Sequence, residues 1–233
     1  MTIFDDLKAI FQRDPAARGF WGFFEVLLSY PGFHALISHR ICHFLHAKLH
    51  LPLIPRLISQ MTRLLTGIEI HPGARIGKGF FIDHGMGVII GETTIVGDYV
   101  TLYQGVTLGG TGKESGKRHP TLKDHIVVGA GAKVLGNIVI GDRVKIGSGS
   151  VVVKDVPNDC TVIGVPGVII RRAGEKVPET SLDHANLPDP IARRLSNIQA
   201  EIECMEKHIK CFNEECKLRK TNKKQLDSND DES

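Results

Sequence analysis

The stretch IHPGARIGKGFFIDHGMGVIIGETTIVGDYVTLYQGV, residues 70–106, decides the fold. An aliphatic residue returns every six positions, at Ile70, Ile76, Ile82, Val88, Val100 and Val106, with only Thr94 out of type. A second run keeps the beat at Leu122, Val128, Val134, Ile140, Ile146 and Val152. Neither a heptad nor a two-residue alternation gives this period. A repeat this short describes a solenoid in which each hexad is one flat strand and a corner, three hexads close a triangular coil, and stacked coils share one thin core.

The two runs are out of step. Val106 and Leu122 are sixteen residues apart, one hexad and ten more. About ten residues, GKESGKRHPT at 112–121, are therefore expected to loop out of the coil, beside Gly109, Gly110 and Gly112. Loops extruded from a rigid scaffold usually carry function, and this one holds Arg118 and His119.

Upstream, Ile3, Leu7, Ile10 and Phe11 form a helical stripe, and Asp14-Pro15 starts a new segment. Further helices are expected at about 20–30, 33–49 and 55–65, divided by Pro31-Gly32, Pro52 and Pro55. The fold class is thus α+β. A helical domain over 1–66 caps a parallel β-helix over 67–172, and a linker follows over 173–190. From Ile191 the apolar positions Leu195, Ile198, Ile202, Met205, Ile209, Phe212 and Cys216 are spaced alternately by three and four. This heptad seam predicts a helix over 191–220, suited to a coiled coil or to docking on its own domain. The polar tail, 221–233, is expected to be disordered.

Composition narrows the function. A formal charge of +3 with no basic cluster along the repeat argues against nucleic acid. No apolar run reaches the ~20 residues that span a bilayer, so no membrane association is expected. The first residues, MTIFDDLKAIFQRD, lack a secretory pattern, which makes cytoplasmic residence the expectation. Five cysteines without a CxxC pair read as reduced thiols, not disulfides or a zinc cluster.

His84, among small residues in Ile82-Asp83-His84-Gly85-Met86-Gly87, is the side chain best matched to proton transfer near neutral pH. Taken alone it reads as a surface residue at a solenoid corner. Glu69 lies fifteen residues earlier, close to one 18-residue coil, where a carboxylate would fix the imidazole tautomer. Asp83 offers a second carboxylate. Arg118 and His119 suit a carboxylate ligand, and their positions allow them to meet His84 at one groove, within a chain or across a subunit boundary.

Those motifs, IDHGMG and LGGTGK…KRHP, with the flanking GAGAKVLGNIVIGDRVKIGSGSVV and GVPGVII, resemble serine O-acetyltransferase, a hexapeptide-repeat enzyme. The likeness covers about 14–170 and extends into the helices through RDPA and GFHAL…HRI. It implies a left-handed parallel β-helix and a homotrimer with sites between subunits; pairing of two trimers is left open by the short cap. It implies acetyl transfer from acetyl-CoA, as co-substrate, to the L-serine hydroxyl, with no metal. It makes His84 the general base and Glu69 its partner, where many members have Asp. Asp14 and Asp83 would hold the amino end and hydroxyl of serine, and Arg118 and His119 its carboxylate. Gly110, Thr111, Ala130 and Ser148 would line the pantetheine arm, since larger side chains would block it. Inhibition by cysteine at the serine pocket is likewise implied. Members often dock a C-terminal Ile into O-acetylserine sulfhydrylase; this chain ends Asp-Asp-Glu-Ser, so that complex is not expected by that route.

The sequence also fits other readings. His39, His43, His46 and His50 share a helical face that could bind a metal. A zinc-dependent hydratase on the same coil would need His84, His119 and a third histidine such as His125. Acetyl transfer to a sugar or antibiotic hydroxyl would leave Arg118 with little to bind. A trimeric scaffold would need no His84 at all.

Overall fold

The structure, a computed structural model, describes residues 2–17, 19–112, 115–172 and six residues between 198 and 205. Its architecture is α+β, a helical cap followed by a left-handed parallel β-helix. The cap contains α1 (Thr2–Arg13), α2 (Gly19–Ser29), α3 (Pro31–Ala47) and α4 (Leu53–Thr66). Pro31 stands in the first turn of α3, where a missing N–H costs nothing, and Gly67 ends α4 in a left-handed conformation.

Two- and three-residue strands then build the coils. The first coil is β1 (Glu69–Ile70), β2 (Arg75–Ile76) and β3 (Phe81–Ile82); the second is β4 (Ile89–Ile90), β5 (Ile95–Val96) and β6 (Thr101–Leu102). The third is β7 (Thr107–Gly109), β8 (Thr121–Leu122) and β9 (Val127–Val128); the fourth is β10 (Lys133–Leu135), β11 (Val139–Ile140) and β12 (Lys145–Ile146). β13 (Val151–Val152), a bridge at Val156 and β14 (Cys160–Ile163) form the last coil, which antiparallel β15 (Val168–Arg172) closes. The three sides of the prism are β1-β4-β7-β10-β13, then β2-β5-β8-β11, then β3-β6-β9-β12-β14-β15.

Strand pairing corrects the sequence register at two places. Ile70 stands under Ile90 and Ile82 under Leu102, twenty residues apart, whereas Leu122 and Ile140 are eighteen apart. The first coil therefore carries two extra residues, and they fall at the corner that contains His84. Leu108 pairs with Val134 across twenty-six residues, so the outlooped segment before β8 is eight residues long instead of ten. The slip arose because each side offers two inward positions. Val88, Val100 and Val106 belong with Ile68 and Phe80 in one buried layer, while Ile70, Ile82, Ile90, Leu102 and Leu108 form the other. Both layers are aliphatic, and a hexad count passes from one to the other unnoticed.

Cap and prism pack as one unit, Met1–Pro188. Gly32, at the start of α3, lies so close to β3 that a Cβ there would stand 2.2 Å from the Ile82 carbonyl oxygen. Two arginines fasten the cap. Arg13 donates to the Tyr99 carbonyl (2.9 Å) and to Thr101 Oγ1 (2.7 Å). Arg40 donates to the Ile76 and Gly77 carbonyls and pairs with buried Asp6 at 3.1 Å, while Asp6 also accepts the Phe80 N–H. Burial raises the Asp6 carboxyl pKa, against the pull of Arg40 and that N–H.

The expected linker, 173–190, and tail, 221–233, lie outside the described residues. Within 191–220 the described residues, among them Ile198, Ile202 and Met205, are helical and exposed. Cys42 and Cys160 are buried free thiols and Cys204 is an exposed one; Cys211 and Cys216 lie outside the described residues. Among the described residues no helix is long and apolar enough to cross a membrane.

Candidate active site

A triangular coil has three edges, and the chain order of the strands assigns each corner to one of them. Residues 83–88, 103–106, 129–132 and 147–150 lie on the edge between the third and first sides. Residues 71–74, 91–94 and 110–120 lie between the first and second. His84, Asp83, Ala130 and Ser148 thus share one edge; Gly110, Thr111, Arg118 and His119 share another. In one chain the two groups stand apart. The expectation that His84 and His119 could meet within a single chain does not hold, because the two residues occupy different corners of the coil. His125, on the remaining edge, cannot join them either, so the hydratase triad does not assemble within the chain.

His84 sits on the two-residue insertion with a left-handed backbone (φ 59°), followed by Gly85 (φ 80°). A non-glycine residue in this region is held there by its surroundings, and such positions concentrate at functional sites. Ile68 packs under Gly85, whose N–H donates to the Asp83 carbonyl (2.6 Å), and Gly87 N–H donates to Gly67 at the end of α4 (2.9 Å). The bulge pushes the imidazole outward, leaving its side chain 75% exposed with Nε2 3.8 Å from Asp83 Oδ1.

The carboxylate at ion-pair distance from His84 is that of Asp83. Glu69 stands beside Ile89 in the register, and its N–H donates to the Val88 carbonyl (2.9 Å) at the end of the His84 corner. Its oxygens accept from Arg56 (3.0 Å), Arg63 (2.7 Å) and Gln60 (3.3 Å), all on α4. A fifteen-residue spacing could not reveal this, since the competing cations come from a helix folded back over the first coil.

Asp14 joins the His84 edge through the cap. Its Oδ1 accepts the Ala16 N–H (2.8 Å) and its Oδ2 the Tyr30 hydroxyl (2.5 Å). Burial and then Asp14 raise the Tyr30 pKa above the ordinary tyrosine value, with Asp83 contributing further. Buried Tyr103, one coil above Asp83, is pushed up to about 12 by burial and then by Asp83, and Asp14 adds to the effect. Both carboxylates are thus felt by both phenols. Neither tyrosine was singled out from sequence; the hexad slip hid that Tyr103 stacks on Asp83.

On the other edge, Arg118 Nη2 contacts Glu92 Oε2 at 2.5 Å, and that hydrogen bond holds the Glu92 carboxyl below its usual range. His119 is buried, its ring lying against Gly91, where a Cβ would meet it at 2.0 Å. Thr93 N–H donates to Nδ1 (3.3 Å), which places the ring proton on Nε2, and burial lowers the imidazole pKa. A cleft of about 410 Å³ opens here, lined by His46, Arg75, Glu92, Thr93 and Lys117 among others. Gly110 and Thr111 are exposed at the base of the loop.

The histidines of α3 have separate duties. His39 is buried and its pKa is driven down to about 3 by burial; His43 Nδ1 lies 2.8 Å from the Pro72 carbonyl; His46 meets His71 edge to face. Among the described residues no group of three or more His, Cys, Asp or Glu side chains is placed to hold a metal.

Comparison with known proteins adds to this geometry. Residues 119–154 match the family described as bacterial transferase hexapeptide (six repeats). The chain is 60% identical over 212 residues to a Synechococcus elongatus protein named serine acetyltransferase, covering 91% of this chain and 84% of that one. Neisseria gonorrhoeae serine acetyltransferase solved in complex with serine superposes with a TM-score of 0.69 at 42% identity, over 73% of this chain and 68% of that one. A serine acetyltransferase solved with cysteine gives 0.70 at 41% identity, over 73% and 69%.

Proposed function

The chain belongs to the serine acetyltransferase family, and from that premise we propose how its own residues transfer acetyl from acetyl-CoA to the L-serine hydroxyl. The observation that carries the reading is the division of the site residues between two edges of one prism. A site that uses both needs two copies. In a cyclic homotrimer the His84 edge of one subunit faces the Arg118 edge of the next, and three equivalent sites result.

At each site His84 takes the proton of the serine hydroxyl, and the resulting alkoxide attacks the thioester carbonyl. The tetrahedral intermediate collapses by expelling the CoA thiolate, which the imidazolium protonates. Asp83 beside the ring favours its charged form in the transition state. Asp14, oriented by Tyr30 and Ala16, receives the substrate ammonium, and Asp83 helps to hold the hydroxyl end. The partner subunit supplies Arg118 and the Nε2–H of His119 for the carboxylate. Ala130 and Ser148 on one edge, with Gly110 and Thr111 on the facing one, border the path of the pantetheine arm. Glu69 supports the site through α4. Cysteine, differing from serine by one atom, would compete for the same groups.

This chemistry is compatible with a cytoplasmic enzyme, where acetyl-CoA is available. Release of CoA thiol from acetyl-CoA is the test, with serine compared against threonine, homoserine and a simple sugar. Turnover with serine is expected; turnover with the sugar alone would refute the substrate assignment. Loss of turnover in His84→Ala, with folding retained, separates the enzyme from a scaffold.

A further inference from the structure

On the His84 edge, one long polar side chain, Gln104, stands at the corner one coil above that of His84. Backbone bonds fix its level: Gly105 N–H donates to the Met86 carbonyl (2.9 Å), Gly131 N–H to Gln104 (2.8 Å) and Gly149 N–H to Ala130 (2.8 Å). Met86, Gln104 and Ala130 therefore occupy equivalent corners on three successive coils, with Ser148 on the fourth. Coils are separated by ~4.8 Å, the spacing of hydrogen-bonded strands. An acyl chain descending past Ser148 and Ala130 reaches the level of Gln104 just before the bulge that carries His84.

Above Gln104 this edge carries small residues: Ala130, Gly131, Ser148 and Gly149. Gln104 is exposed, and its carboxamide has no hydrogen-bond partner among the described residues. Four backbone donors at this edge are already engaged, since the N–H groups of Gly85, Gly87, Gly105 and Gly131 all bond to carbonyls of the coils or of Gly67. A carboxamide supplies two N–H bonds to a developing oxyanion without a charge to desolvate.

We propose that Gln104 is a catalytic residue whose Nε2–H donates a hydrogen bond to the acetyl thioester oxygen and to the oxyanion that replaces it. It rests on the reading of His84 as base and of this edge as the acyl-donor groove. No proton leaves Gln104; the carbonyl electrons move onto oxygen as serine adds, and return when the carbon–sulfur bond breaks.

The test uses the full chain with Gln104→Leu and with Gln104→Glu, which keeps the side-chain shape but loses the donor at neutral pH. Loss of one such donor typically lowers kcat by about 10²–10³-fold. Both variants are expected to show a fall of this order. The Kd of CoA, which lacks the carbonyl, should stay within about twofold of wild type, since the lost contact is made only to the acyl group. Unchanged kcat in either variant, or a loss of CoA affinity that matches the loss of kcat, would overturn the role. Wild type assayed alongside separates the two readings. Absence of serine acetylation in wild type would sink both, whereas a working wild type matched by its variants sinks only this one.

Discussion

The Tyr30 hydroxyl donates to Asp14 Oδ2 at 2.5 Å, tying the residue before α3 to the residue after α1. Asp14 Oδ1 is held separately by Ala16 N–H, so the carboxylate plane is fixed by two donors. If that plane receives the substrate ammonium, Tyr30→Phe should raise the KM for serine roughly tenfold, the scale of one hydrogen bond to a charged group, and leave the KM for acetyl-CoA unchanged. Steady-state kinetics with each substrate varied checks the split. An equal rise in both constants would mean a general loosening of the cap.

Gly32 meets β3 at the residue that precedes Asp83. Its missing Cβ would stand 2.2 Å from the Ile82 carbonyl oxygen, a backbone atom that cannot swing aside. Gly32→Ala should cost about 1–3 kcal/mol of stability, as overpacking does, and should depress activity by moving the His84 bulge. Denaturant unfolding and turnover measured on the same sample would show both effects together.

Arg40 bridges α3, α1 and the first coil through Asp6, Ile76 and Gly77. Arg40→Met would leave the Asp6 carboxylate buried with only the Phe80 N–H among these partners. A loss of about 3–5 kcal/mol is expected, the usual penalty for stranding a buried charge. The double variant Arg40→Met with Asp6→Leu should lose less than the sum of the two singles, because neither partner is then stranded. Additive losses would show that the pair is not coupled.

His39 is buried against α4 and the first coil, with its pKa pushed down to about 3. The unfolded chain gains a proton there near pH 6.5, but the folded one does not until the pH nears 3. Stability from this group is therefore complete above about pH 6.5 and falls as the pH drops, by up to roughly 1.4 kcal/mol per unit within that window. His39→Leu should flatten the acid limb of a plot of Tm against pH. A limb of unchanged slope would assign the acid sensitivity to other groups.

Much of the fold is legible in the sequence because hexad spacing reports burial directly: Ile70, Ile82, Leu122, Val128 and Ile140 all point into the prism. The four helices follow from Pro31, Pro52 and Pro55 and from the apolar stripes between them. What escaped was register within a core of two aliphatic layers. Counting Val88 in place of Ile90 moved two residues from the His84 corner into the Arg118 loop. Long-range pairing was also illegible: the α4 arginines on Glu69, Glu92 on Arg118 and Tyr30 on Asp14 connect residues whose proximity depends on the closed coil and the folded cap. The assignment of edges, invisible in a linear count, is what separates His84 from His119 within one chain.

Subunit complementation tests that separation most directly. His84→Ala and Arg118→Ala are each prepared as pure enzymes, then co-expressed or unfolded and refolded together at equal amounts. If each site joins the His84 edge of one copy to the Arg118 edge of the next, every mixed trimer contains one site with both residues intact. About a quarter of all sites should then be whole, and the mixture should recover about a quarter of wild-type turnover from two nearly inactive parents. Activity that stays at the level of the separate variants, in mixtures shown to contain mixed trimers, would contradict a site shared between copies.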